Sequence, residues 1–542
     1  MVKRLISLCL VFILLSGLCA CGKDGSDAQI IYPIDNDPKF LDPQIISDVG
    51  AKNIIANCFE GLVTIDSEGK IAPGCAESWK ISPDGLTYTF TLRRDCEWRV
   101  SSYAENVIGG EEAMKKFDTR VTADDFVFAF RRALRPETKS PGAKNLLSIK
   151  NASAVNEGTL AEENLGIWAK DEFTVVIALE WADPDFLYTL LEPACMPCDE
   201  TFFEITGGRY GLAIKYLLYN GPFYISNWAD DTAITLKRSL VYYDMQSVKP
   251  ASVYFSINNE QSTRLKKIEE GTYEVAPLTA QQAKEISGSK KYTLCSFDSS
   301  VLSFIFNCKD ESLSNVNIRR AITASFNPLA FTSTFGEFTA KGIIPPSMIL
   351  SGSPYREKTA DLSFYSNTEP RALLEKGLRQ TDKKDFEATV LCTPEYEEAV
   401  RMLMQNWQSV LGVGLNVFVE AVDESTLMKR VKNSEYQIAL CPVSYSSVTA
   451  FNGVLRFTTD NAHNICNFSD KKYDSLVNSI KTTHGNAATI KATAEAEKYL
   501  ASRCVVLPLY NEAVYYGLGK NVKNVIFNPT GEILYFKNTL SE

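Results

Sequence analysis

The residues with the most chemical potential in this sequence are a closely spaced cysteine pair and two histidines. Cys195 and Cys198 have the CxxC spacing that can serve thiol redox chemistry, a metal or a disulfide. A structural zinc site needs a second pair of ligands, and the sequence has no second CxxC. His463 and His484 are the only histidines, and we expect both to be polar surface residues. These residues therefore predict no metal centre.

A catalytic site is equally hard to build from these residue types. Nucleophilic catalysis needs a nucleophile beside a base, and two histidines without a Gly-x-Ser-x-Gly motif leave little room for that arrangement. A hydrolase would otherwise need paired carboxylates in a cleft. We therefore expect a protein that is not an enzyme and has no cofactor.

The N-terminus predicts export and lipidation. Lys3 and Arg4 precede an apolar run at residues 5–18, which is shorter than the ~20 residues that span a bilayer. Leu18, Ala20 and Cys21 fit the bacterial lipobox, whereas Cys19 fits it less well. We expect residues 1–20 to be a signal peptide and Cys21 to carry the lipid, although a buried N-terminal helix is the alternative.

Composition and charge narrow the class of protein further. The 542 residues are 45% hydrophobic and 23% charged, which is ordinary for globular proteins. The net charge of −10 disfavours a nucleic-acid partner, because phosphate backbones repel such a surface. Of the 14 cysteines, 11 follow Cys21, and this odd number argues against a complete disulfide framework. We expect most of them to be small buried residues.

The elements that must position any site alternate between strand and helix. Strands are predicted at 85–92, 171–179, 386–391 and 415–419, and helices at 370–378, 398–411 and 487–500. Thr122 and Asp125 indicate a capped helix that ends before Pro136, and Ser469 is the predicted cap of another helix. Residues 101–120 read as a surface insertion. The strand–helix–strand order at 386–419 favours an α/β fold with a parallel sheet.

These stretches, taken together, resemble the bacterial extracellular solute-binding proteins of family 5, the oligopeptide- and dipeptide-binding components of ABC importers. The resemblance extends in order over most of the chain. The matching segments are Leu41-Asp-Pro43, Phe59-Glu-Gly-Leu62, Pro73-Gly-Cys-Ala-Glu-Ser-Trp79, Ser82-Pro-Asp-Gly85, Val121-Thr-Ala-Asp-Asp-Phe126, Tyr219-Asn-Gly-Pro222, Ile318-Arg-Arg-Ala-Ile322, Asn406-Trp-Gln408 and Leu507-Pro-Leu-Tyr510.

The resemblance implies a two-lobed fold of the type II periplasmic-binding-protein kind, with the ligand enclosed by hinge closure. It places lobe I at 21–60, 198–292 and 508–542, an inserted domain at 61–197, and lobe II at 293–507.

It also implies ligand-binding residues. The family anchors a peptide ammonium with an Asp before a Tyr in lobe II, and Ser444 stands in that place here, between Val443 and Tyr445. This substitution predicts that an ordinary free-amine peptide lacks its usual partner. Alternatively, the alignment is shifted, or Asp423 or Asp460 takes the role.

Two further pairs complete the implied site. Asp37 and Lys39 lie where the first strand edge of the family meets the ligand. Asn220 and Gly221 form a turn at the crossing between lobes, and a purely structural turn is the more favoured interpretation.

The resulting hypothesis is a monomeric lipoprotein on the extracytoplasmic face of the cell membrane. It captures peptides between its lobes and delivers them to the permease subunits of an ABC transporter. The alternatives are a receptor for a blocked or modified peptide or another solute, and a surface sensor without a transport role.

Overall fold

The computed structural model describes residues 28–326, 340–362, 364, 369–412, 414–445, 447–459, 461, 463–483 and 485–541. The predicted signal peptide, Cys21, Asp460 and His484 lie outside these residues. None of the helices in the described ranges combines the length and apolar character needed to cross a membrane.

The N-terminal strand belongs to a four-stranded sheet. In spatial order its strands are Gln29–Ile34, Ser252–Ile257, Ala233–Arg238 and Phe223–Ala229. The first pair is parallel and the other two pairs are antiparallel. The helix Val49–Cys58 packs against this sheet, and Asp48 caps it by accepting from Ala51 N. The helices Glu200–Ile205, Arg264–Glu269 and Ala280–Ile286 complete this part of the chain.

A second four-stranded sheet lies within residues 76–178 and is antiparallel throughout. Its strands, in spatial order, are Ala76–Ile81, Thr87–Leu92, Thr174–Ala178 and Ile167–Asp171. The helix Ala123–Leu134 packs on it and begins with the predicted capping box of Thr122 and Asp125. The predicted surface insertion contains two short helices, Ser102–Ile108 and Glu111–Met114. The helices Ala152–Asn156 and Phe186–Thr189 follow.

The third sheet has six strands and mixed pairing. Its order is Val275–Leu278, Val506–Gly519, Tyr292–Phe306, Ile438–Ser444, Phe386–Cys392 and Leu415–Ala421. The strands Phe386–Cys392 and Leu415–Ala421 are parallel, as the sequence predicts, but the two long strands pair antiparallel with their neighbours. The helices around this sheet are Val316–Ala324, Pro370–Gln380, Glu397–Leu411, Glu424–Lys432, Ala450–Leu455, Lys471–Lys481 and Asn486–Ser502.

One predicted cap is wrong by a residue. Asp470, rather than Ser469, caps the helix Lys471–Lys481 and accepts from the backbone N–H groups of Lys472 and Tyr473. An ionised carboxylate accepts hydrogen bonds more strongly than a hydroxyl, which favours Asp470 at this position.

The long strands Tyr292–Phe306 and Val506–Gly519, which we call the crossover strands, join two hydrophobic cores. Phe297 and Val514 pack on the first core, whereas Leu302 and Leu509 belong to the second. The pairing register of the crossover strands shifts between Asp298 and Ser300. We call residues 28–298 and 513–541 the first lobe and residues 300–511 the second lobe. The first core is continuous through the first two sheets.

The C-terminal residues return to the first lobe. Asn57 Nδ2 donates to Leu534 O over 2.8 Å, and Asn57 Oδ1 accepts from Phe536 N over 2.8 Å. Asn53 makes the corresponding bonds to Glu532 O and Leu534 N. The short strands of the chain are Val63–Ile65, Ile71–Pro73, Ile349–Leu350, Ser353–Pro354, Val522–Lys523, Ile526–Phe527, Leu534–Tyr535 and Leu540–Ser541.

Candidate ligand-binding site

A cavity of about 760 Å³ lies between the two lobes. A volume of this size is typical of a site for a small molecule. The residues of the first lobe that line it include Pro43, Ile46, Lys52, Lys144, Glu157, Glu192 and Glu532. The residues of the second lobe include Met348, Ser444, Tyr445, Asn452, Arg456 and His463. A ligand here contacts both lobes at once.

Two of the residues predicted from the resemblance lie on this cavity wall. Ser444 is exposed at the end of the strand Ile438–Ser444, where its carbonyl oxygen accepts a hydrogen bond from the guanidinium of Arg456. Tyr445 is buried, and its hydroxyl donates to Ile343 O over 2.8 Å. Because that hydroxyl already has a partner, Tyr445 presents no free donor to the cavity.

The neighbouring Val443 does not line the cavity. Successive residues of a strand point to opposite faces, and Val443 is fully buried in the second core. Its side chain therefore packs inside the lobe.

Asp37 and Lys39 also lie away from the cavity wall. The carboxylate of Asp37 accepts from Trp228 Nε1 and from Asp231 N, each over 2.9 Å, so it holds the end of a hairpin. Lys39 is exposed. Neither residue lines the cavity, so their contact with a ligand stays a prediction.

Asn220 and Gly221 hold two segments of the first lobe together. Asn220 Nδ2 donates to Glu60 O over 2.8 Å, and its Oδ1 accepts from Glu60 N over 3.1 Å. Gly221 N donates to Cys58 O, and a Cβ at Gly221 would lie only 2.6 Å from the carbonyl carbon of Cys58. These contacts fit the structural interpretation of the turn, and neither residue lines the cavity.

Asp423, one of the two alternative anchors, does not line the cavity. Its exposed carboxylate caps the helix Glu424–Lys432 by accepting from Thr426 N and Thr426 Oγ1. Of the described residues on the second-lobe wall, none is an aspartate or a glutamate. That wall therefore offers no carboxylate to a ligand ammonium.

The cysteines take no part in this site. All eleven from Cys58 to Cys504 are free thiols, and nine are buried, as the sequence predicts. Cys195 Sγ contacts Thr189 O, and burial raises the pKa values of the Cys195 and Cys198 thiols above their usual range. No group of three potential metal ligands exists within the described ranges.

The charged groups of the cavity are not paired with one another. Three cations, Lys52, Lys144 and Arg456, line it, and among the described residues none of them forms a salt bridge. The carboxylates of Glu192 and Glu532 on the first-lobe wall likewise form no salt bridge with any described cation. Charges that lack an internal partner are available to a ligand.

Burial and these charges shift several pKa values. Burial raises the pKa of Glu192 to about 7, and Lys52 partly offsets that effect. Burial lowers the pKa of Lys144, and the nearby charges of Lys52 and Arg456 lower it further. Burial and the charges of Lys144 and Arg456 lower the pKa of His463 to about 4. The region around Lys144, Arg456 and His463 therefore has a positive potential.

A buried ion pair supports each wall from behind. In the first lobe, the guanidinium of Arg132 binds the carboxylate of Asp42, next to the lining residue Pro43. Gln44 Oε1 also accepts a hydrogen bond from the guanidinium of Arg132, and Gln44 Nε2 donates to Met196 O over 2.9 Å.

In the second lobe, Glu497 binds the guanidinium of Arg356 and accepts from Tyr355 Oη over 2.8 Å. Glu497 also accepts from the backbone of Ile343, whose carbonyl in turn receives the hydroxyl of Tyr445.

The lobes also meet directly beside the cavity. The carboxylate of Asp185, fully buried in the first lobe, accepts from Ser351 N over 2.8 Å and from Gly352 N over 2.9 Å in the second lobe. Trp181 lies against Phe451, with the ring centroids 6.4 Å apart. The segment 181–185 therefore fastens the first lobe to the second.

Lys144, Glu192 and Arg456 are the residues that sequence reasoning missed. They come from separate segments, each as an ordinary charged side chain without a motif. The nearest residue that the sequence analysis singled out is Ser444, which lies twelve residues before Arg456 in the chain.

Known proteins share both the sequence and the fold of this chain. Residues 70–464 match the family model for bacterial extracellular solute-binding proteins, family 5 Middle. The dipeptide-binding protein DppE of Bacillus subtilis is 25% identical, covering 94% of this chain and 93% of its own. The oligopeptide-binding protein OppA of the same species is 26% identical, with 98% of each chain covered.

Solved structures agree with this match. The Haemophilus influenzae OppA complex with the peptide RPPGFSPFR has a TM-score of 0.73 at 23% identity, covering 95% of this chain and 99% of that one. The murein tripeptide binding protein MppA of Escherichia coli has a TM-score of 0.73 at 20% identity, covering 95% and 98%. With the family match over most of its length, the chain belongs to the bacterial extracellular solute-binding proteins of family 5, which are two-lobed binding proteins and not enzymes.

Proposed function

We propose that this protein is the lipid-anchored receptor of an ABC importer, that it closes its two lobes on a peptide or a closely related solute, and that it delivers this ligand to the permease. The observation that carries the proposal is the cavity of about 760 Å³ lined by both lobes. The names of the similar proteins, which include dipeptide- and oligopeptide-binding proteins, support a peptide ligand.

The wall chemistry refines the kind of peptide. A buried ammonium without an anionic partner costs several kcal/mol, and the described second-lobe wall provides Ser444 and Arg456 instead of a carboxylate. We therefore propose that the ligand does not place a free N-terminal amine against Ser444, so an N-acetylated peptide binds at least as well there as the free amine.

A thermal-shift screen of peptide pools tests the function. A ligand that binds only the native state stabilises it by about 2.7 kcal/mol at a hundredfold excess over Kd. We expect a stabilising hit that is recovered chemically unchanged. Turnover of the hit would contradict a binding role, and the absence of any hit would contradict a peptide ligand.

The lipid anchor has its own test in cells. We expect Cys21→Ala to release the protein from the membrane fraction, because the thioether-linked lipid is lost. The matched control is Cys19→Ala, which should leave the protein attached. Retention of the Cys21 variant would place the anchor elsewhere.

A further inference from the structure

Two cations from opposite lobes line the same cavity. Lys144 comes from the first lobe, and Arg456 comes from the second. The charge of Arg456 lowers the pKa of Lys144, after the larger effects of burial and of the charge of Lys52. Neither Lys144 nor Arg456 forms a salt bridge with any described carboxylate. Like charges in this arrangement oppose the approach of the lobes.

The contacts of Arg456 hold its guanidinium in place without neutralising it. The guanidinium donates to Ser444 O and, over 3.3 Å, to His463 O. It also lies over the ring of Tyr445, 5.0 Å from the centroid. Carbonyl oxygens and a ring orient the cation, but its full charge remains. A fixed guanidinium suits a planar anion such as a carboxylate.

We propose that Lys144 and Arg456 together bind an anionic group of the ligand, either the C-terminal carboxylate or an acidic side chain of a peptide. This inference rests on the proposed function. An anion between the two cations replaces their repulsion by two attractions, one to each lobe, so it stabilises the closed arrangement. The ligand is then held at the second-lobe wall by its negative group.

Calorimetry with one peptide in several forms tests the proposal. The forms are the free acid, the C-terminal amide, and the amide with one alanine changed to aspartate. Losing the carboxylate should weaken binding about 10- to 100-fold, as for one or two charge-assisted hydrogen bonds. If the bound anion is the C-terminal carboxylate, the amide with aspartate should bind as weakly as the plain amide. If the site binds an acidic side chain, the aspartate should restore the affinity.

Lys144→Gln should reduce the same preference, because only Arg456 is then left to pair with the carboxylate. The matched control is Lys170→Gln, which removes an exposed lysine from the same lobe outside the cavity, and it should keep the preference. Equal binding of the acid and the amide by the unaltered protein would overturn the proposal.

The imidazole of His463 provides a readout that does not depend on peptides. Its pKa is lowered to about 4 by burial and by Lys144 and Arg456, so an anion bound between those cations should raise it. We would follow its NMR signal against pH with inorganic phosphate and with the free-acid peptide, and identify that signal with His484→Gln.

The outcomes separate the two proposals. A Lys144-dependent rise of the pKa of His463 with phosphate, but no peptide binding, would support the anion site and contradict the peptide function. Peptide binding that leaves this pKa unchanged and ignores amidation would overturn the anion site and keep the function.

Discussion

The two walls of the cavity differ in charge. The first-lobe wall carries Glu157, Glu192 and Glu532 beside two lysines, whereas the described second-lobe wall carries Arg456 and His463 and no carboxylate. A zwitterionic ligand therefore meets an environment of mixed charge on one side and a positive environment on the other.

The charges behind the walls show the opposite arrangement. Asp42 with Arg132, and Glu497 with Arg356, are buried ion pairs in which each charge has its counter-ion. The cations of the cavity have none among the described residues. Paired charges support the fold, and unpaired charges are left for the ligand.

The largest effect is expected from breaking a paired charge. Glu497→Gln should destabilise the protein by about 3–5 kcal/mol, because it leaves the Arg356 guanidinium buried without a counter-ion. Asp42→Asn should act similarly on Arg132. Urea denaturation measures both.

The control for these variants is Glu68→Gln, which breaks an exposed pair with Lys70 and should cost almost no stability, because solvent screens such a pair. Lys144→Gln should cost equally little, since no described carboxylate pairs with this lysine. A large loss in Lys144→Gln would contradict the division between paired and unpaired charges.

The next effect concerns the contact that joins the walls. Asp185→Asn replaces an acceptor of two backbone N–H groups, so closing the lobes should become less favourable by about 1.5–3 kcal/mol. Small-angle scattering should show a larger radius of gyration, and ligand affinity should fall. Asp124→Asn, an exposed carboxylate in the same lobe, is the control. An unchanged radius and affinity would show that this contact does not contribute to closure.

Glu192 on the first-lobe wall should make the stability of the protein depend on pH. Burial raises the pKa of Glu192 from 4.5 to about 7, so the folded protein binds this proton more tightly than the unfolded chain. Its stability contribution is therefore full at acidic pH and is lost as the pH rises toward 7. Glu192→Gln removes that dependence.

The measurement is the melting temperature of both proteins at about pH 5 and about pH 8. Between these values the folded protein still holds the proton of Glu192 while the unfolded chain has lost it, so most of the stability change falls there. At the higher pH, the melting temperature of the variant should rise relative to that of the unaltered protein. Asp125 and Asp183 have pKa values raised by burial to about 8 and about 7, and they are common to both proteins. A constant difference between the two proteins would contradict the prediction.

The smallest effect is expected at the second-lobe wall. Tyr445→Phe removes the hydrogen bond to Ile343 O and should cost about 1 kcal/mol of stability, the usual worth of one neutral hydrogen bond. Ligand affinity should change little, because the ring remains. A strong loss of affinity at unchanged stability would show that the hydroxyl turns to the ligand.

Local signals in the sequence predicted many of the elements. The cap at Thr122 and the apolar spacing after it give the helix Ala123–Leu134, and the strand Thr87–Leu92 follows from strict alternation. Both signals are contained in a few consecutive residues, so no distant contact is needed to identify them.

The site depends on contacts that no local signal contains. Lys144 and Arg456 line one cavity only because the two lobes both contribute to its wall, and a single sequence does not show which of its many charged residues lack a partner. Local sequence signals also do not show where the crossover strands pass from the first hydrophobic core to the second. The strand Tyr292–Phe306 continues without interruption through the register shift between Asp298 and Ser300, so no turn or linker marks it.

The amide contacts of Asn53 and Asn57 with the C-terminal segment have a consequence for the order of folding. Asn53 and Leu534, which bind each other, are 481 residues apart in the chain, and the whole second lobe lies between them. Contacts of such separation form late, because a long loop must close first. During synthesis, the first lobe is therefore complete only after the segment that contains Leu534 has emerged. The second lobe, which is contiguous, can fold before it.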